Sequence, residues 1–144
     1  MALVHKSVLI WHSAQQMYDL VTDVAAYPEF LPWCGGVDVQ ASTPEHMRAT
    51  LLIDFKGVKQ SFTTDNIQVP GSEIRMHLVE GPFSSLGGHW RFTPLEGGQA
   101  CRIDFDLEYH FSNRVIDAVI GPVFAHIAKT FVDAFVHRAE VVYE

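Results

Sequence analysis

The stretch RVIDAVIGPVFAHIAKTFVDAFVHRAEVVY, residues 114–143, decides how the rest of the chain must fold. Val123, Phe124, Ile127, Ala128, Phe131, Val132, Phe135, Ala139 and Val142 recur at three- and four-residue steps, the spacing that gathers side chains on one face of an α-helix. His126, Lys129, Thr130, Asp133, His137 and Glu140 take the other side, which is expected to face water. Lys129 and Asp133 stand one turn apart there and are expected to pair. A stripe carrying Phe124, Phe131 and Phe135 needs a wide apolar cover, and the preceding chain supplies mainly strands. The spacing therefore predicts a long helix lying in a sheet. Gly121-Pro122 interrupts it, because proline removes a backbone donor and clashes one turn back. The helix is expected to divide into a lead segment, Arg114 to Ile120, and a main segment from Pro122. That joint either lets the lead segment and the loop around Pro82 and Phe83 gate the space beneath, or is a static bend that fits the helix to a curved sheet.

Working outward, Cys101 to Phe111 is the clearest strand. Cys101, Ile103, Phe105, Leu107, Tyr109 and Phe111 alternate with Arg102, Asp104, Asp106, Glu108 and His110, so one face is buried and one is wet. Met47, Ala49, Leu51, Ile53 and Phe55 alternate in the same way, as do Ile74, Met76 and Leu78. Trp90 and Phe92 follow a bend or loop at Gly81 to Gly88. Ser42-Thr43-Pro44-Glu45, Lys56-Gly57, Pro70-Gly71 and Glu96-Gly97-Gly98 punctuate these runs as hairpin turns. In Val58 to Val69 the residues Gln60, Thr64 and Asn66 share parity with Val58 and Phe62. That run is either an edge strand or a strand whose inner face is partly polar, which would signal a cavity for water or ligand.

At the other end, Leu3 to Trp11 reads as a strand. Ser13 with Gln16 forms a capping-box pattern that starts a helix through Met17, Tyr18, Val21 and Val24. Pro28 disfavours helical geometry at Tyr27 but suits a first helical turn, so Tyr27 to Trp33 is expected to be a bent helical connector. The order is strand, two short helices, a six-strand meander and a long helix. This is an α+β chain with helices on one face of an antiparallel sheet.

With 144 residues, of which 48% are apolar and 19% charged, the chain fits one folded domain, residues 1–144. A net charge of −7 and a pI near 5.5 weigh against a DNA-binding role, since phosphate contacts need clustered Lys and Arg. Cys34 and Cys101 form no C-x-x-C pair and are expected to be reduced and buried. The N-terminus carries no signal pattern and no run reads as spanning a bilayer, so a soluble, cytoplasmic protein is expected.

Enzymatic constellations are sparse. Phe83 stands where a Gly-x-Ser-x-Gly elbow around Ser84 and Ser85 needs glycine. Asp104, Asp106 and Glu108 occupy the face opposite Phe105 and are expected to pair with Arg75 or Arg91. The histidines show no ligand spacing, although His89, His110 and His126 could converge in space, and no metal site is expected. The double glycines lack the spacing of a phosphate loop. The aromatic side chains, taken alone, read as ordinary core.

Three segments carry a resemblance. They are Asp23-Val24 with Tyr27-Pro28-Glu29-Phe30-Leu31-Pro32-Trp33-Cys34; Gly81-Pro82-Phe83 with Leu86 and Gly88-His89-Trp90-Arg91-Phe92; and Ala134-Phe135-Val136 with Arg138-Ala139. Together they resemble the coenzyme Q-binding proteins of the START-like superfamily, from end to end. That branch also holds the ribosome association toxins, and the superfamily includes polyketide cyclases and dehydratases. The resemblance implies a helix-grip fold, with a curved seven-stranded antiparallel sheet wrapping the C-terminal helix around an apolar tunnel. It implies a tunnel lined by Tyr27, Phe30, Trp33, Phe62, Phe83, Trp90, Phe92, Phe105, Phe124, Ile127, Phe131 and Phe135. It further implies a non-enzymatic carrier or chaperone for ubiquinone or a similar prenylated lipid in support of respiration. Such a protein needs no cofactor beyond that ligand and makes transient contact with the inner membrane. The alternative the resemblance implies is a toxin that blocks joining of ribosomal subunits by binding the large subunit, with Lys56 and Lys59 as local RNA contacts. A cyclase or aromatase is the third reading.

Overall fold

In the computed structural model, which describes residues 2–143, one antiparallel sheet holds all seven strands in the order β1-β7-β6-β5-β4-β3-β2. The strands are β1 (Ala2–Ile10), β2 (Cys34–Ser42), β3 (His46–Phe55), β4 (Val58–Val69), β5 (Glu73–Glu80), β6 (Phe83–Pro94) and β7 (Cys101–Phe111). Helix α1 (Ala14–Thr22), a 3-10 turn (Val24–Ala26) and helix α2 (Tyr27–Phe30) follow β1, and α3 (Arg114–Val142) ends the chain. This is the expected helix-grip, START-like arrangement of a curved sheet around a long C-terminal helix. Short turns make β2 to β7 a meander, and β1 closes against β7 from Ala2↔Tyr109 to Ile10↔Cys101. β4 lies inside the sheet between β3 and β5, which removes the edge-strand reading of Val58 to Val69.

Period-two alternation does its work most clearly in β7, where every odd position from Cys101 to Phe111 is buried. Ser13 caps α1 with the full reciprocal pattern, its hydroxyl accepting from the Gln16 amide while the Gln16 side chain accepts from the Ser13 amide. Asn113 caps α3 by accepting from the Ile116 amide at 2.9 Å. From Ile120 onward α3 buries Phe124, Ile127, Ala128, Val132, Phe135 and Ala139. The polar row from His126 to Glu140 is exposed as expected. Three ties fix the helix, one to β1 and two to the short helices. Lys6 reaches Asp133 at 3.4 Å, Arg138 reaches Glu29 at 3.1 Å while lying over the Phe30 ring, and the Tyr143 hydroxyl donates to the Gln16 carbonyl at 2.9 Å.

Several expectations are corrected. α3 is one continuous helix across Gly121 and Pro122 rather than two segments. Buried Ile120 and Phe124 on either side of the proline anchor both halves to the same surface, so packing spans the missing hydrogen bond. Asp133 pairs with Lys6 and not with Lys129, and Val142 is 47% exposed at the frayed end of the stripe. The helical connector stops at Phe30, because Leu31 precedes Pro32 and turns extended at φ −98°, ψ 108°. Tyr27 is helical despite Pro28, at φ −53°, ψ −43°, and is held there by burial and by its hydroxyl, which donates to the Val21 carbonyl. Phe83 opens β6 instead of belonging to a loop, and only Gly81 and Pro82 form the bend. α3 is also long and apolar enough to cross a bilayer, contrary to the sequence reading, and 28% of its most apolar stretch is buried in the fold.

Candidate functional site

The inner face of the sheet and the buried stripe of α3 enclose two small chambers rather than an open tunnel. One, of about 40 Å3, has wholly apolar walls that include Trp33, Phe62, Leu86, Phe105, Phe124 and Ile127. The other, of about 30 Å3, lies under α1 and the 3-10 turn and combines Val21, Val24, Tyr27 and Trp90 with Thr64, Asn66 and Gln68 of β4. Leu51, Met76 and Phe131 line both chambers and form the wall between them. These three are only partly buried, while Ile53, Trp90 and Phe105 beside them are fully buried. The partition is thus not sealed by tight packing, and Met76 brings to it a thioether side chain with three rotatable bonds. As they stand, the chambers hold little more than water, whereas small-molecule pockets run to about 300 Å3 and above.

All twelve side chains expected to line a tunnel face this interior, and all but Phe30 and Phe131 are buried. They fall into two groups of ring contacts. Trp90 stands 4.4 Å from Phe105, 5.6 Å from Phe131 and 5.6 Å from Phe135, centroid to centroid, and Tyr27 and Phe30 join through Phe135. Phe83 stands 5.0 Å from Phe124 and 6.0 Å from Phe62, with Tyr109 and Phe111 completing the second group. Trp33, Phe62, Phe105, Phe124, Ile127 and Phe131 border the apolar chamber, and Tyr27, Trp90 and Phe131 the polar one. Phe30, Phe83, Phe92 and Phe135 border neither, and support the walls from behind. Leu51 and Met76 were readable only as core. Of the polar positions flagged by parity, Thr64 and Asn66 face the chamber, but Gln60 is exposed in an open groove with Pro82 and Ile116. Gln68, two positions beyond Asn66, completes the polar row that the sequence reading left short.

Acid and base groups are missing from these walls. Among the described residues neither chamber is lined by a carboxylate, histidine or lysine, and burial holds the Tyr27 hydroxyl well above the usual phenol range. Asp106 pairs outside the sheet with Arg91 at 3.2 Å and His5 at 2.6 Å. Asp104 pairs with Arg102 at 3.2 Å and is buried rather than solvated. Arg75 goes to Glu73 at 3.4 Å and not to the β7 carboxylates. Ser84 Oγ lies 2.8 Å from His110 Nδ1 on the surface, and among the described residues no carboxylate bonds to that imidazole. His89, His110 and His126 do not converge, since His126 stacks on Phe55 and His89 approaches Glu73 at 3.5 Å. No group of three metal-ligating side chains occurs among the described residues.

Comparison with known proteins places this geometry. Residues 10–136 match the family described as polyketide cyclase / dehydrase and lipid transport. The chain is 43% identical over 143 residues to the ribosome association toxin RatA of Escherichia coli, covering 99% of this chain and 90% of that protein. It is 29% identical over 141 residues to the mitochondrial coenzyme Q-binding protein COQ10 homolog B of Xenopus laevis, covering 96% of this chain and 58% of that protein. Among solved structures, the Zhui aromatase/cyclase of a Streptomyces species superposes with a TM-score of 0.78 at 16% identity, over 96% of this chain and 93% of that one. A START superfamily protein of Mycobacterium smegmatis gives 0.72 at 23% identity, over 97% and 98%. The chain therefore belongs to the polyketide cyclase/dehydrase and lipid transport family, START-like in fold, in the branch that holds the ribosome association toxins and coenzyme Q-binding proteins.

Proposed function

We propose that this protein binds ubiquinone or a related prenylated lipid between α3 and the sheet, and acts as a carrier or chaperone rather than as an enzyme. The observation that carries the reading is the pair of chambers sharing Leu51, Met76 and Phe131, three partly buried side chains that form the wall between an apolar space and a partly polar one. Displacing that wall merges the two spaces into one cavity for an elongated apolar molecule. Such a ligand binds by area, at roughly 0.8 kcal/mol per buried methylene, and no covalent step is needed. Among the described residues no charged group lines either chamber, which supports a carrier over a cyclase. The coenzyme Q-binding relative supports the ligand class. A cytoplasmic protein working at the periphery of the inner membrane fits this role.

A second reading, association with the large ribosomal subunit, is favoured by the 43% identity to proteins named ribosome association toxins. Lys56 and Lys59 at the β3–β4 turn are the local cations it would use, although Lys59 approaches Asp54 at 3.9 Å and the net charge is −7. One experiment with two readouts separates the readings. The protein is overproduced in its own host, an organic extract of the purified material is analysed by mass spectrometry, and ribosome profiles are recorded from the same cells. The lipid reading expects a prenylated quinone in the extract and an unchanged profile. Free subunits accumulating in the profile, relieved by Lys56→Glu with Lys59→Glu, together with a lipid-free extract, would replace it with the ribosome reading.

A further inference from the structure

We infer that the chamber under α1 seats the oxygen-bearing ring of the ligand, with its hydrocarbon tail running through the apolar chamber to the groove at Pro82 and Ile116. This orientation rests on the lipid reading above and adds to it a binding site with a chemistry of its own.

β4 is an interior strand, yet three successive inward positions carry Thr64, Asn66 and Gln68 where an ordinary core strand carries Val, Ile or Leu. Thr64 and Gln68 are buried, and the Asn66 side-chain oxygen is buried with no hydrogen-bond partner. The Gln68 amide is held only by two long contacts, 3.4 Å each, to the carbonyls of Thr43 and Pro44. Apolar walls surround this row, with Val21, Val24 and Trp90 among them. A polar group buried without a partner is costly, so the Asn66 oxygen marks a hydrogen-bonding site awaiting a ligand group, with Thr64 and Gln68 on either side of it. A side-chain amide carries both a donor and an acceptor. Asn66 Oδ1 can therefore accept from a hydroxyl of the quinol, the Asn66 amide nitrogen can donate to a carbonyl oxygen of the quinone, and Thr64 can do either, while Gln68, whose amide nitrogen already donates to the Thr43 and Pro44 carbonyls, offers its oxygen as an acceptor.

The tail follows from what lies next to the polar chamber. Beyond Leu51, Met76 and Phe131 the second chamber offers only apolar surface. Phe62 lines that chamber and also the open groove of about 430 Å3 formed with Gly81, Pro82 and Ile116. Pairing between β5 and β6 ends at His77↔Gly87, so the sheet parts toward the Gly81-Pro82 bend where this groove lies. Val115 and Val119 of α3, 72% and 62% exposed, extend apolar surface outward from Ile116. Polar end, apolar middle and an open exit, where Phe62, Pro82 and Ile116 stand among Gln60, Ser61, Thr63 and Glu80, thus form one path with a defined direction.

The test uses a two-isoprene ubiquinone and a tail-matched hydrocarbon lacking the ring, titrated against the full chain and against Asn66→Leu, Gln68→Leu and Thr64→Val. The parent is expected to prefer the quinone at least tenfold. Asn66→Leu, alone and with Gln68→Leu, is expected to remove most of that preference while hydrocarbon affinity holds or rises. Variants that keep the full preference overturn the orientation while leaving the lipid reading intact, and a parent that binds neither probe overturns both. Because a variant can misfold, the side-chain amide NMR signals of Asn66 and Gln68 in the unaltered chain give an independent readout. They are expected to shift with the quinone and to stay in place with the hydrocarbon. Signals that ignore a bound quinone overturn the proposal.

Discussion

Cys101 occupies the first inward position of β7 with no exposed surface, and burial pushes its thiol up to about 11 from an ordinary value of 9.0. The unfolded chain ionises this thiol near 9 while the folded chain keeps it neutral. Its contribution to stability is therefore fully present below pH 9 and is lost as pH rises through about 11. We predict that the urea midpoint falls between pH 9 and 11, and that Cys101→Ala flattens part of that fall. A midpoint equally steep in the variant assigns the limb to other groups, such as Cys34 or Tyr27, whose ionisation burial also raises. At this scale the sequence was informative wherever side chains alternate. The β7 row and the inward placement of Thr64 and Asn66 follow from parity alone, because a strand turns over every second residue. The roles of Leu51 and Met76 were not legible. Alternation marks them as core, and only their place in the walls of both chambers shows that they divide two spaces.

α3 shows where a local rule yields to packing. Proline inside a helix costs about 3 kcal/mol in an unsupported context, which is why a division at Gly121-Pro122 was the natural expectation. The helix is continuous because Ile120 and Phe124 bury against the same sheet from both sides of the break. Pro122→Ala supplies the missing backbone donor one turn from Ala118 without disturbing the buried stripe, since Pro122 is exposed. It is predicted to raise stability by roughly 1–3 kcal/mol in urea titrations. A neutral or negative change would mean that the proline shapes the helix to the sheet. Gly121→Ala is a poorer probe, because its added carbon would come within 2.6 Å of the Asp117 carboxylate oxygen. The capping box at Ser13 was legible because it is a local pattern of two residues. The end of α2 is less so, because two prolines lie close together and it is Pro32, through extended Leu31, that stops the helix.

Across the whole molecule, short turns fixed neighbour relations from β2 to β7, and the family resemblance supplied the way β1 and α3 close the fold. The size of the interior was beyond the sequence. The aromatic inventory is compatible with a wide tunnel or with a filled core, and rotamers of a few side chains such as Phe131 decide between them. The resulting chambers are small, so the central claim is that ligand binding opens the wall made by Leu51, Met76 and Phe131. Tryptophan fluorescence reports on both sides of that wall, since Trp33 lines the apolar chamber and Trp90 the polar one. Trp11 is 88% exposed and is replaced by Phe to remove its background. The direct measurement is a quenching titration with ubiquinones carrying tails of increasing length, at low and high salt. The account predicts micromolar or tighter binding that strengthens several-fold with each of the first isoprene units, five carbons apiece, and changes little with salt. Equal affinity for a tailless and a long-tailed quinone, or no quenching by either, would contradict it.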